Sequence, residues 1–219
     1  MKPFEGYDPE GLYPDAMQSS LWNVSYQAGC LGEWLWTHLG PRSVIDVGCG
    51  AGCYLSVFTE HGCEVLGIDA CTTAGTLIPG AFERIDLRLP YHPPHRFDLA
   101  ICIEVAEHLE PQWADTLLDT LACCGDVLVF SAAVPGQPGQ YHVNLQPSEY
   151  WLGELARRGY VLHPLDAAMR ENLHTLRPST PDQTDGRHSW LRDNVHLLQR
   201  DAVCDRDSAA EPRAVFISL

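Results

Sequence analysis

Residues 43–54 read Ser-Val-Ile-Asp-Val-Gly-Cys-Gly-Ala-Gly-Cys-Tyr, and no other stretch limits the fold as tightly. Val44, Ile45 and Val47 form a β-branched apolar run with Asp46 near its end, and Gly48, Gly50 and Gly52 follow on alternate positions. Such a run suits a parallel strand buried on both faces. A glycine turn after it bends the chain towards a helix and lets backbone approach a ligand with no Cβ in the way. A glycine-rich first strand-to-helix turn is where doubly wound α/β proteins bind nucleotide-type cofactors. The dinucleotide fingerprint spaces its glycines G-x-G-x-x-G. This chain has G-x-G-x-G preceded by an acid, so an NAD(P) dehydrogenase is the weaker reading.

The pattern beyond the loop alternates strand and helix. An apolar helix over 21–39, carrying Trp34, Leu35 and Leu39, is stopped by Gly40-Pro41. It either covers the cofactor or packs its aromatics on the sheet. A second helix over 54–61 is ended by Gly62. Strands are predicted over 64–68, 82–85, 97–103, 126–132 and 160–163. Helices are predicted over 112–123, 148–158 and 166–176, with Ser148 as N-cap and Glu149 in the dipole-favoured first turn. Residues 194–200 are the choice for a last, antiparallel strand; 214–219, Ala-Val-Phe-Ile-Ser-Leu, compete for that role or add an edge. The expected fold is α/β, a doubly wound, seven-stranded, mostly parallel sheet. One domain spans 1–219, with an N-terminal arm and cap helix in 1–40 and a charged tail from 201.

Composition narrows the partners. Against 29 acidic residues stand 14 basic ones, a formal charge of −15. That balance argues against nucleic acid, which needs a basic surface, and against an anionic membrane. No leader and no apolar run long enough to cross a bilayer is read, so a cytoplasmic location is expected. The nine cysteines include no paired C-x-x-C, which points to buried reduced thiols rather than structural zinc. Cys49 and Cys53, flanking the glycine loop, are the candidates for oxidation. His92 and His95, in the proline-rich connection 89–95, read as solvated.

Acids recur at strand ends. Asp69 closes the second strand about 20 residues after the glycine loop, where a carboxylate can accept from both hydroxyls of a ribose. Asp86 closes the third. The phrase Phe-Asp-Leu-Ala-Ile-Cys-Ile-Glu-Val-Ala-Glu-His-Leu follows at 97–109. Together, Asp46-Val47-Gly48-Cys49-Gly50, Gly67-Ile68-Asp69-Ala70 and that phrase resemble the Rossmann-like S-adenosylmethionine (SAM) methyltransferases over roughly residues 40–132. The resemblance implies SAM as cofactor. It carries cofactor-binding roles to Asp46, Gly48, Cys49, Gly50 and Gly52, to Asp69 and Ala70 at the ribose, to Asp86 and Leu87 at the adenine, and to Glu104.

Methyl transfer from a sulfonium is an in-line displacement that needs alignment and, for many acceptors, a base. Glu104, Glu107 and His108 stand at i, i+3 and i+4, so a helix starting at the end of strand four would put them on one face. His142 lies in the loop 134–147 after strand five. E-x-x-E-H with a later histidine resembles the metal-binding set of the plant small-RNA 2′-O-methyltransferases, and a similar E-x-x-E-H occurs in the ubiquinone-pathway O-methyltransferases. The resemblance implies that Glu104, Glu107, His108 and His142 hold one divalent cation, Mg²⁺, Mn²⁺, Fe²⁺ or Zn²⁺, which binds an acceptor hydroxyl. Two alternatives stay open at this point: metal-free acid–base catalysis by His108 with Glu107 and His142, and purely structural roles. The stretch from His108 to His142 is shorter than in the small-RNA enzymes, which with the acidic charge points away from RNA. The reading is a SAM-dependent methyltransferase, O-directed, acting on a small-molecule or sugar hydroxyl, with metal assistance as an option. The alternative is a non-catalytic SAM-binding regulatory module, which has no need of the histidine–glutamate cluster.

Overall fold

Strand β1 (Ser43–Val47) is buried along its whole length, as its unbroken apolar run requires. It lies between β2 (Glu64–Asp69) and β4 (Leu99–Ile103), parallel to both. Outward from these, β3 (Phe82–Arg84) pairs with β2 and β5 (Val127–Ser131) with β4, again parallel. Two further strands, β6 (Tyr160–Leu162) and β7 (His196–Arg200), complete the sheet. β7 runs antiparallel between β5 and β6, giving the seven-stranded order β3-β2-β1-β4-β5-β7-β6. The structure, a computed structural model, describes residues 17–71, 74–175 and 193–201, with side chains from Gln27 onward except at Thr175. Most of the expected arm, the loop 178–189, the tail and the competing strand 214–219 lie outside the described residues.

Side chains alternate across the sheet with the two-residue period of a strand. On one face Ile45, Ala100, Cys102, Leu128 and Phe130 pack with Leu117 and Leu121 of α3 (Ala114–Cys124) and Trp151 and Leu155 of α4 (Ser148–Arg157). On the other, Val44, Leu99, Ile101, Val129 and Leu197 meet three helices. These are α1 (Met17–Leu39), α2 (Cys53–Glu60) and α5 (Asp166–Thr175), through Leu31 and Leu35, Leu55 and Phe58, and Met169 and Leu173. Each large apolar side chain so buried contributes roughly 1.5–3 kcal/mol. The described part of α1 therefore packs against α2 and the sheet, and none of its residues lines the cleft described below.

Element ends move by a residue or two from their expected places. Phe97 forms only an isolated bridge to Gly125, so β4 begins at Leu99. The N-cap of α4 is Pro147 and Ser148 is already its first helical residue, so the helix starts one residue earlier than Ser148 as N-cap implies. His95, exposed as expected, is not simply solvated: its ring stacks on Phe97 at 4.4 Å and its Nε2 lies 2.8 Å from Glu64. The largest departure follows β4. No helix starts there. Glu104 takes the left-handed conformation at φ 55°, and only a short 3₁₀ turn, Ala106–His108, comes after it. The shared helical face expected for Glu104, Glu107 and His108 does not exist.

The strand order reverses direction between β1 and β4. In open α/β sheets the crevice at the carboxyl ends of strands at such a switch point is where ligands bind.

Candidate active site

The glycine loop leaves β1 at that switch point. Gly48 has φ 84°, and a Cβ there would collide with the Val105 side chain, so the loop and the segment after β4 approach as closely as backbone allows. Gly48 and Cys49 donate their N–H groups to Ile68 O at 2.8 and 3.1 Å, which ties the loop to the end of β2. Asp69 completes the tie. Its Oδ2 accepts from Gly50 N–H at 2.9 Å and its Oδ1 from Cys71 N–H at 2.8 Å. Burial pushes the Asp69 acid up, and the amides of Cys71 and Gly50 pull it back. The carboxylate is oriented by backbone and still borders the cleft.

That cleft is lined by Gly48, Gly50, Asp69, Ala70, Asp86, Leu87, Glu104, Val105 and His108, among others. Of the expected cofactor residues, Asp46, Cys49 and Gly52 do not line it. Asp46 lies beneath, 2 % exposed, with Oδ2 unpaired; burial first and the Asp69 charge second push it to about 8. Cys49 packs inward against the place where a Cβ of Gly67 would stand, and burial raises its thiol, which works against oxidation. Gly52 is the N-cap of α2. Asp86 reaches the cleft with its carboxylate already held by Arg88, through Nε at 3.0 Å and a second guanidinium nitrogen at 2.9 Å.

Three of the four expected metal ligands meet. One ligand atom each from Glu107, His108 and His142 lies within 4.8 Å of the others. The loop after β5 brings His142 there because Val143 and Asn144 donate their N–H groups to Glu107 O at 2.9 and 3.0 Å. His108 Nδ1 lies 3.2 Å from Tyr141 O. A carbonyl only accepts, so Nδ1 carries the proton and the neutral ring's lone pair is on Nε2. Burial lowers the His108 pKa further. Glu107 is fully buried, and among the described residues neither carboxylate oxygen makes a well-formed hydrogen bond, although the Glu107 and Ala133 amides lie near enough to draw its pKa partly back down; His142 Nδ1 is likewise without a partner there. Burial first and the Glu104 charge second push Glu107 to about 8. Buried acceptors left unpaired are costly unless a proton or a cation completes them. A carboxylate and two imidazoles are a donor set that divalent cations accept.

Glu104 stands outside this trio. Ser131 Oγ donates to its Oε1 at 2.9 Å and Gln137 Nε2 to its Oε2 at 2.6 Å. Its backbone strain costs roughly 1–3 kcal/mol and persists only where surroundings over-determine it. Ser131 and Gln137 were not signalled by any spacing in the sequence, although the Pro135-Gly136 pair does mark the turn that delivers Gln137. Gly139 is a further hidden constraint, because a Cβ there would run into the His142 imidazole. Gly139→Ala is therefore expected to displace His142 and weaken divalent-cation binding about tenfold or more, with S-adenosylhomocysteine affinity unchanged; calorimetry with Mn²⁺ and with S-adenosylhomocysteine checks both.

A curated relative, the ubiquinone biosynthesis O-methyltransferase of Alkalilimnicola ehrlichii, is 27% identical over 204 residues, covering 88% of this chain and 74% of that protein. Its counterpart in Nitrosospira multiformis is 27% identical over 134 residues, 54% of each chain. Among solved structures, a SAM-dependent methyltransferase from Archaeoglobus fulgidus superposes with TM-score 0.59 at 17% identity, over 89% of this chain and all of that one. Magnesium protoporphyrin IX methyltransferase from Synechocystis PCC 6803 with bound S-adenosylhomocysteine superposes with TM-score 0.57 at 19% identity, over 88% and 92%. The methyltransferase-domain family matches residues 31–209. With an acid–glycine loop at the switch point and that match over most of its length, the chain belongs to the class I SAM-dependent methyltransferases.

Proposed function

We propose that this protein methylates an oxygen of a small hydroxylated acceptor, with Glu107, His108 and His142 holding a divalent cation beside the cofactor. The observation that carries the reading is the orphaned Glu107 carboxylate, buried against two histidines at the cofactor cleft. A pure SAM binder gains nothing from such a group. The relatives' printed names, O-methyltransferases of ubiquinone biosynthesis, support oxygen as the atom modified. The net charge of −15 supports a small acceptor over a nucleic acid.

The chain's residues divide the work. Gly48 and Gly50 let the backbone lie against the cofactor, and Asp69 accepts from its ribose hydroxyls. Glu104, aimed into the cleft, accepts from the ammonium of the methionine part. Glu107, His108 Nε2 and His142 offer their lone pairs to the cation. Bound there, SAM supplies an electrophilic methyl and the cation a Lewis acid that lowers the pKa of an acceptor hydroxyl. Loop 134–147 forms the wall over Glu107 and excludes water from that side. A second reading rests on His108 itself: its lone pair on Nε2 and its lowered pKa keep it neutral near pH 7, able to take the acceptor's proton without a metal.

The test is transfer of labelled methyl from SAM to a panel of small phenols, catechols and sugars, before and after exhaustive chelation. O-methylated product is expected, with turnover falling about a hundredfold or more on chelation and returning with one added cation. Affinity for S-adenosylhomocysteine should hardly change. Turnover that survives chelation and is lost in His108→Ala selects the metal-free reading. Cofactor binding with no transfer to any oxygen overturns both.

A further inference from the structure

Residues 134–137 read Val-Pro-Gly-Gln. Proline pre-sets φ at the second position of a type II turn, and glycine takes the left-handed third. Gly136 has φ 91°, and Gln137 N–H donates to Val134 O at 3.0 Å. The turn buries the Gln137 side chain, and both ends of its amide are used. Oε1 accepts from Val134 N–H at 3.3 Å and from Asn194 Nδ2 at 3.0 Å. A backbone N–H only donates, which fixes the oxygen end and leaves Nε2 to donate to Glu104. Asn194 is also buried and stands just ahead of β7. Glu104 lines the cleft, whereas Gln137 does not.

We propose that Gln137 is a positioning residue of the cofactor site: locked by its own turn and by Asn194, it aims the Glu104 carboxylate into the cleft. This rests on the reading of Glu104 as acceptor for the cofactor's ammonium. Without the Gln137 donor, the side-chain hydroxyl of Ser131 is left to hold, through one oxygen, a carboxylate mounted on a left-handed backbone. The Glu104 carboxylate, whose charge already bears on the buried Glu107 acid, then loses the donor on its other oxygen.

The experiment is a double-mutant cycle read as affinity for S-adenosylhomocysteine in full-length protein. Gln137→Met keeps length and volume but removes the donor; it is expected to weaken binding about tenfold, the scale of one hydrogen bond to a charged group. Gln137→Glu faces Glu104 with a second carboxylate and is expected to weaken it further; it also serves should the Met variant fold poorly. Glu104→Gln should weaken binding at least as much as Gln137→Met. Adding Gln137→Met to Glu104→Gln should then cost little more, because the effect runs through Glu104. A general loosening of the loop would instead persist in the Glu104→Gln background. Effects that multiply, or a Gln137→Met variant that binds like the wild type while Glu104→Gln is weakened, overturn the positioning role alone. A Glu104→Gln variant with wild-type affinity overturns the reading of Glu104 and the proposal with it.

Discussion

Asp69→Ala is expected to weaken S-adenosylhomocysteine binding by roughly 2–3 kcal/mol, about 30- to 150-fold, the scale of lost charge-assisted hydrogen bonds. Two losses coincide in that variant. On the proposed reading the ribose hydroxyls lose an ionised acceptor, and the Gly50 and Cys71 amides lose the carboxylate that sets the shape of the loop. Asp69→Asn separates them. An amide has one acceptor oxygen and so can serve one of the two backbone donors, which places its expected affinity between the wild type and Asp69→Ala. Calorimetry on the three proteins decides the matter, and unchanged affinity in Asp69→Ala would place the ribose elsewhere.

The second large effect is on metal. Divalent-cation affinity, measured with Mn²⁺ or Zn²⁺, is expected to rise about tenfold per pH unit from pH 6 to pH 8 and then level off. The reason is the Glu107 proton, which the cation must displace until the pH reaches the raised value of about 8. Burial lowers the His108 pKa, so its proton weighs less on that slope than an exposed imidazole's would. Glu107→Gln should lower affinity about a hundredfold and flatten the slope, and His142→Ala should lower it comparably without flattening. A wild-type affinity that is flat between pH 6 and 8 would remove Glu107 from the ligand set. The same raised acids act on stability. Glu107 and Asp46 bind protons more tightly in the folded chain, so their contribution is complete below the ordinary values of 4.5 and 3.8 and gone above about pH 8. The metal-free protein should therefore melt at lower temperature as pH rises through that window, and added cation should restore the part due to Glu107.

The sheet was legible because its signals are local. β1 and the glycine loop declare themselves within twelve residues, and Asp69 sits at the end of a strand whose register with β1 follows from burial. The choice of 194–200 for the antiparallel strand corresponds to β7. The segment after β4 was misread for an equally physical reason. Glu104, Glu107 and His108 fit a helical repeat, yet the repeat carries no information about Ser131, 27 residues away, or Gln137, 33 away, which hold Glu104 off the helical path. Tertiary hydrogen bonds overrode the local pattern. His142 was reached through its place in the loop after strand five and through family resemblance; what places it against Glu107 is a pair of backbone hydrogen bonds that no spacing encodes. The polar tie from Gln137 to Asn194 spans 57 residues and left no trace in either neighbourhood.

The position of β7 has a consequence in time. Among the described strands, β6 bonds only to β7, and β7 is the last to be made. On a ribosome building the chain from its N-terminus, β1 to β5 can pair as they emerge, and the glycine loop with its Asp69 tie is complete by then. β6 must wait, unpaired, until residues 196–200 arrive and slot between it and β5. Asn194 arrives in the same instalment, so the Glu104 clamp closes only when the outer sheet does. The half-made sheet would thus carry a finished glycine loop and an unfinished Glu104 clamp, so of the two parts of the proposed cofactor site the clamp is the later to form.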